Sequence, residues 1–278
     1  MGGIGNQFFQ YSAGFALAGK FNTELKCDVS HYENALWRKY LLDKFNTDAV
    51  IATKAEIEKL QDNTLSRKIG VLFGKENPHI FVEPSFFEFQ EKFKTLEDNT
   101  YLDGTWPSYK YFEGLENILK GKFTLKDPLP KSAEELINNI ERNNSVSVHI
   151  RRGDYVAPKI QKILPLCTPE YYEQAISMIS KQIDNPKFFV FSDDLEWSKS
   201  LPFPKETIYV NSDFGLKDYE ELIVMSKCKH NIIANSSFSW WAAFLNSNLN
   251  KKVIAPKKWY TNPEKTTRDM VPEDWMQI

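Results

Sequence analysis

His149, Arg151, Arg152 and Asp154 crowd the end of the stretch SVSVHIRRGDYV, residues 145–156. The six residues before the arginines alternate small and branched apolar side chains, the pattern of a buried strand. Two arginines at its end supply permanent positive charge and planar forks that match a phosphate bidentately. Two further polar groups repeat the arrangement. Asp193 and Asp194 follow KFFVFS (187–192), and Ser236, Ser237 and Ser239 follow HNIIAN (230–235), which ends in Asn235. The serine-rich turn offers hydroxyls and free backbone N–H groups at a helix start, a second anion site. A carboxylate after a strand can accept from two adjacent N–H donors, such as N1 and N2 of guanine. Together these groups suit a purine nucleoside diphosphate.

Taken singly, each group has a plainer explanation. An Arg-Arg pair is most often a surface ion-pair corner. Asp-Asp is most often a helix cap followed by a first-turn acid. NSSFS alone is a helix cap, Trp240 and Trp241 are helix core, and His149 is a hydrogen-bonded strand histidine. The functional reading rests on all three groups falling on one edge of one sheet.

The elements that would place them there are legible from residue 145 onward. Strands are expected at 145–150, 187–192, 206–211, 230–235 and 251–256. Helices are expected at 169–183, with Thr168 as N-cap and Pro169 at N1, in DDLEWSKSL, at 217–228 with Leu222, Ile223 and Met225 inward, and at 238–248. Strands and helices alternating at this spacing make a doubly wound parallel sheet. In such a sheet ligands bind outside the carboxyl ends of the strands. The first part of the chain is less regular. Residues 5–21 read as an amphipathic helix with Phe8, Tyr11, Phe15 and Ala18 in one stripe, ELKCDVS reads as a strand, and 35–100 reads as helix and loop. LKDPLPKS (125–132) carries two prolines ahead of a helical AEELINNIE and serves as the linker. This gives an N-terminal lobe at 1–126 and a nucleotide-binding lobe at 127–278.

Composition excludes other classes. Of 278 residues, 42% are hydrophobic and 26% charged, with a net charge of −2, which gives no field for nucleic acid. No apolar run reaches the ~20 residues of a membrane span. The start has neither the basic region nor the apolar core of a signal peptide. Three scattered cysteines without a CxxC fit neither a zinc site nor a disulfide framework, and suit a reducing cytosol.

HIRRGDYV, FSDDLEW, DYEELIVMSKCKHNIIANSSFSWWAAFLN and MGGIGNQFFQYSAGFALA resemble the inverting alpha-1,2-fucosyltransferases, the bacterial relatives of the blood-group H enzymes. DGTWPSYKYF (103–112) also resembles a family segment, with Pro107 where the family often has glutamine. The resemblance implies an α/β, GT-B-like fold of two Rossmann-like lobes. It implies transfer of fucose from GDP-fucose to the 2-hydroxyl of a galactose-terminated glycan, with inversion and without a metal or other cofactor. Arg151 would then hold the diphosphate, with Arg152 beside it, and His149 and Asp193 would lie near the guanosine. Asn235, Ser236 and Ser237 would support the donor. Gly3, Gly5, Asn6 and Gln7 would line the fucose and acceptor side. Asp154 is a candidate base, or else pairs with Arg152 to hold the loop. A strand usually precedes GGxGNQ in the family, and Met1 stands in its place here.

Two rival classes remain. GGIGNQ contains GxG with Glu24 or Asp28 about 20 residues on, as in dinucleotide-dependent oxidoreductases, but Phe8 replaces the third glycine. A non-catalytic GDP- or glycan-binding module is the other. The sequons at 143–145 and 235–237 bear on location, because a glycan on Asn235 would occupy the phosphate site. A cytoplasmic bacterial enzyme is therefore expected, with a peripheral place at the inner membrane face.

Overall fold

The computed structural model describes residues 2–33, 35, 38–61, 77, 79–83, 88–210, 212–264 and 267–278. Met1, the expected strand end Asn211, and residues 62–76 of the expected helix-and-loop region lie outside the described residues. The chain divides into two compact units, 1–126 with 268–270, and 127–267 with 271–278.

The first unit is organised on the helix Ile4–Phe21. Gly3 stands at its N-cap. Asn22 ends it in the left-handed region, returning its N–H to the Ala18 and Gly19 carbonyls. Burial extends well beyond the expected stripe. Phe8, Phe9, Tyr11, Ala13 and Leu17 are buried, whereas Phe15 and Ala18 are half-buried. Phe8 stacks on Phe123 at 3.9 Å and meets Phe45 edge-on at 4.9 Å. Two short parallel pairs follow the helix in sequence, β1 (Lys26–Cys27) with β2 (Val50–Ile51) and β3 (Ile80–Val82) with β4 (Tyr101–Asp103). Residues 268–270 join this unit through Asp269. Its carboxylate accepts from Lys110 Nζ at 2.5 Å and Phe89 N at 3.0 Å, and its carbonyl accepts from Ser108 Oγ at 2.5 Å.

The second unit is one six-stranded sheet built from β5 (Asn144–Ile150), β6 (Pro186–Ser192), β7 (Ile208–Val210), β8 (His230–Ile232), β9 (Val253–Ala255) and β10 (Met276–Gln277). All pairs are parallel, and the order is β7-β6-β5-β8-β9-β10. The chain lays β5, β6 and β7 in one direction, then returns and lays β8, β9 and β10 in the other. The direction reverses between β5 and β8, where a doubly wound sheet opens its binding crevice. Strand β10 was not expected. Its two residues have no period to read.

The helices follow the sequence closely. Pro169–Gln182 opens as expected, with Thr168 Oγ1 accepting from Tyr171 N. Asp218–Ser226 is rotated from expectation: Leu222, Val224 and Met225 are buried and Ile223 is not. Ser237–Leu245 buries Trp240, Trp241 and Phe244, so both tryptophans are core. Val146, Val148 and Ile150 of β5 pack with Tyr172, Ile176, Ile179, Phe188 and Val190. Each such side chain contributes about 1.5–3 kcal/mol on full burial. This core fixes the strand ends from which the polar groups project.

Candidate active site

Strand β5 ends where Ile150, fully buried, gives way to Arg151. The chain cannot continue as a strand there, because Gly153 lies against the loop after β6. A Cβ on Gly153 would fall 2.5 Å from Asp193 Oδ2. Asp193 ties the two loops together. Its Oδ1 accepts from Arg152 N at 2.7 Å, and its Oδ2 pairs with Arg151 Nη1 at 2.6 Å. Arg151 Nη2 pairs with Asp154 Oδ1 at 2.6 Å. Arg152 turns the other way: its Nε donates to Asp194 Oδ2 at 2.9 Å and its guanidinium covers Trp197 at 4.2 Å. The expected Arg152–Asp154 pair is therefore corrected. Adjacent strand-end residues point apart, and Asp154 falls on the Arg151 side.

Asp194 also caps the helix Leu195–Ser198, accepting from Trp197 N at 3.1 Å. The hydrogen bond from Arg152 holds its carboxyl below the usual range. Asp193 and Asp194 thus face different arginines and do not converge on a point.

At the end of β8 the three expected residues separate. Asn235 is buried, its Nδ2 donating to Pro165 O at 2.8 Å and its Oδ1 facing Cys167 Sγ at 3.5 Å. Its side chain fastens the loops of Pro165 and Trp259. Its backbone carbonyl accepts from Tyr155 Oη at 3.3 Å, which links the β5 and β8 loops. Ser236 caps the helix Ser237–Leu245, accepting from Phe238 N at 3.4 Å, and Ser237 is half-buried at the first helical position.

His149 lies behind Arg151, with its ring 5.4 Å from Phe238. It is 5% exposed, and its Nδ1 has no hydrogen-bond partner. Burial, aided by the Arg151 charge, pushes the imidazole down to about 3, so it is neutral. Sequence reasoning missed Glu221. It is half-buried, and its acid is pushed up to about 7, first by burial and then by Asp218 and Asp193, with Arg151 opposing. Its signal was an acid beside Leu222 in a helix otherwise read only for its apolar face.

The carboxylates of this cluster outnumber its arginines. Arg151 and Arg152 face Asp154, Asp193 and Asp194, with Glu221 nearby. Each terminal nitrogen of Arg151 has a second N–H beyond its carboxylate contact. Those donors, with the helix start at Ser237, can take an anion.

In the first unit, Gly3 accepts from Asn6 N at 3.0 Å and Gln7 N at 3.1 Å, which starts the helix. Gly5 is buried in its first turn. Gly2, at φ +106°, packs so closely on Asn6 that a Cβ would fall 2.5 Å from Asn6 Nδ2. Gln7 is buried and serves the fold: Nε2 donates to Lys39 O at 2.8 Å, and Oε1 accepts from Leu41 N at 2.9 Å.

The sequence pattern of glycosyl transferase family 11 matches residues 2–278. The chain is 35% identical to an alpha-1,2-colitosyltransferase of Escherichia coli, covering 100% of this chain and 96% of that one. It is 30% identical to the O-antigen biosynthesis glycosyltransferase WbnK of Escherichia coli, covering 100% and 98%. A variant of Arabidopsis thaliana FUT1, solved with GDP, superposes with a TM-score of 0.50 at 12% identity, over 98% of this chain and 73% of that one. The α/β, GT-B-like fold class stands. No helix among the described residues is long and apolar enough to cross a membrane. The chain belongs to glycosyl transferase family 11 and is a glycosyltransferase.

Proposed function

We propose that the enzyme moves L-fucose from GDP-fucose to the 2-hydroxyl of a terminal galactose, with inversion at the anomeric carbon. One observation carries the reading: Arg151 leaves β5 beside the reversal point of the sheet, with spare N–H donors, and a helix starts at the end of the neighbouring β8. In transfer, the anomeric C–O bond to GDP breaks and negative charge grows on the β-phosphate. Arg151 stabilises that charge. Asp193 and Asp154 hold its guanidinium from two sides. The galactose hydroxyl attacks the oxocarbenium-like centre and gives its proton to a carboxylate or to water. Asp154 can accept it on releasing Arg151, and its present contact suits a positioning role. Metal independence is part of the proposal, since the remaining N–H donors of Arg151 and the helix start at Ser237 can meet the diphosphate without a divalent ion.

The likeness to an alpha-1,2-colitosyltransferase supports a second donor. Colitose is fucose without the 3-hydroxyl, so the two differ by one hydrogen-bonding group on the sugar. A donor screen with GDP-fucose, GDP-colitose, GDP-mannose and UDP-galactose separates them. Turnover is expected with GDP-fucose. Turnover with UDP-galactose alone would overturn the guanine assignment.

A further inference from the structure

Beyond the arginine loop runs VAPKIQKIL, residues 156–164, a stretch that the donor chemistry does not use. Val156 is 45% exposed and Ile163 55%. A single exposed apolar residue needs no explanation. Here two stand in one short stretch, beside the exposed lysines Lys159 and Lys162. The stretch is ordered by its own backbone. Val156 N donates to Arg152 O at 2.9 Å, the short helix Pro158–Gln161 follows, and Ile163 N donates to Ile160 O at 2.8 Å. The fold therefore holds these aliphatic side chains in water.

Charge selects the class of partner. The whole chain has a net charge of −2, yet no acid stands between Asp154 and Glu170, or between Glu221 and Glu264. The second acid-free run returns to the first. Thr261 donates from N to Ile163 O at 3.0 Å and from Oγ1 to Gln161 O at 2.8 Å. Asn235 Nδ2 reaches both Pro165 O and Trp259 O. These bonds bring the exposed Lys257 and Lys258, which follow β9, beside Lys159 and Lys162, which follow β5. A basic surface alone would suit a nucleic acid or an acidic protein. Protruding valine and isoleucine gain nothing from a phosphate backbone. An anionic bilayer meets both components, because its headgroups attract the lysines and its acyl boundary takes the aliphatic tips.

We propose that segment 156–164, with Lys257 and Lys258, is a docking surface for an anionic lipid bilayer. It lies on the carboxyl edge of the sheet, the edge from which Arg151 projects. Docking there brings the donor-binding edge to the membrane surface. The assignment does not depend on which sugar is transferred.

The test is sedimentation of the full chain, without donor or acceptor, with vesicles of phosphatidylglycerol and phosphatidylcholine in equal parts, and with phosphatidylcholine alone. The wild type should bind the mixed vesicles far better than the neutral ones, and high salt should release most of it. Lys159→Ala with Lys162→Ala should lower partitioning about thirtyfold. Val156→Ser with Ile163→Ser should lower it about tenfold. Lys227→Ala with Lys252→Ala makes the same charge change at the amino edge of the sheet, and should leave partitioning unchanged. Melting temperatures of all three double variants should stay near the wild-type value, since every replaced side chain is exposed. No preference of the wild type for anionic vesicles would overturn the proposal. So would an equal loss from the amino-edge pair. Wild-type partitioning in the Val156 and Ile163 variant would show a plain polyanion surface, and would overturn the bilayer assignment.

Discussion

Replacing Arg151 should separate turnover from stability. In the structure its guanidinium spans Asp193 and Asp154, both at 2.6 Å, and lies 5.5 Å from the Tyr155 ring. The Arg151 side chain is 25% exposed, against 49% for Asp154 and 27% for Asp193, so water screens both pairs. Screened pairs contribute about 0.2–1 kcal/mol each. Arg151→Ala should therefore cost at most about 2 kcal/mol from the two pairs. At ~2–4 °C per kcal/mol, melting falls by less than about 8 °C. The effect on transfer is larger. Loss of one preorganised donor on the leaving group costs roughly a hundredfold or more, or about 2.7 kcal/mol. Arg151→Lys keeps the charge, but one nitrogen cannot hold two carboxylates on separate arms and still meet a phosphate, so it should also be severely impaired. Arg152→Ala is the control. It loses the Asp194 pair and the Trp197 stack, which lowers stability, while transfer should fall less than with Arg151→Ala. The assay is the initial rate of transfer beside a melting curve for each variant. A folded Arg151→Ala enzyme with near wild-type turnover would refute the diphosphate assignment.

Further outcomes can be checked on the same enzyme. If Asp193 reads guanine, Asp193→Asn should lower GDP affinity about ten- to a hundredfold and narrow discrimination among nucleotides. If it only orients Arg151, removing its charge should leave GDP affinity equal or higher, and calorimetry distinguishes the signs. Gly153→Ala should drive Asp193 off Arg151, because the new Cβ falls 2.5 Å from Asp193 Oδ2. Transfer should fall at least tenfold in a protein that still folds, and wild-type rates would show that the contact is dispensable. Glu221 binds its proton more tightly when folded, so its contribution to stability is full below the usual carboxylate value, about 4.3. That contribution is lost as pH rises through about 7. Melting against pH should show this decline, Glu221→Gln should flatten it, and an unaltered profile would contradict the shift. Saturating EDTA should leave most transfer activity intact, whereas loss restored by Mn²⁺ or Mg²⁺ would sink metal independence.

The parallel sheet was legible because a buried strand announces itself through runs such as SVSVHI and KFFVFS, and because a cap and a proline mark Thr168–Pro169. Side-chain direction was less legible. Strand geometry separated Arg151 from Arg152, but only the loop around Gly153 decides that Asp154 meets Arg151. The loop-fastening contacts of Gln7 and Asn235 were not legible, because amides in conspicuous motifs have no sequence signature that separates binding from fastening. Their partners, Lys39 and Leu41 for one and Pro165 for the other, are distant in sequence. Glu221 was hidden by its neighbour Glu220. An acid at the start of a helix has an ordinary explanation, which Glu220 fulfils by accepting from Lys217 N at 2.8 Å. In the first unit the strands are two or three residues long, too short for a period of two to be seen.

The most direct test is to incubate the enzyme with GDP-fucose and a galactoside and read the product linkage by NMR. An α-linked fucose on the galactose 2-hydroxyl, formed by the wild type and lost in Arg151→Ala, is the expected result. No transfer from GDP-fucose, or a product with the fucose β-linked or on another hydroxyl, would contradict it.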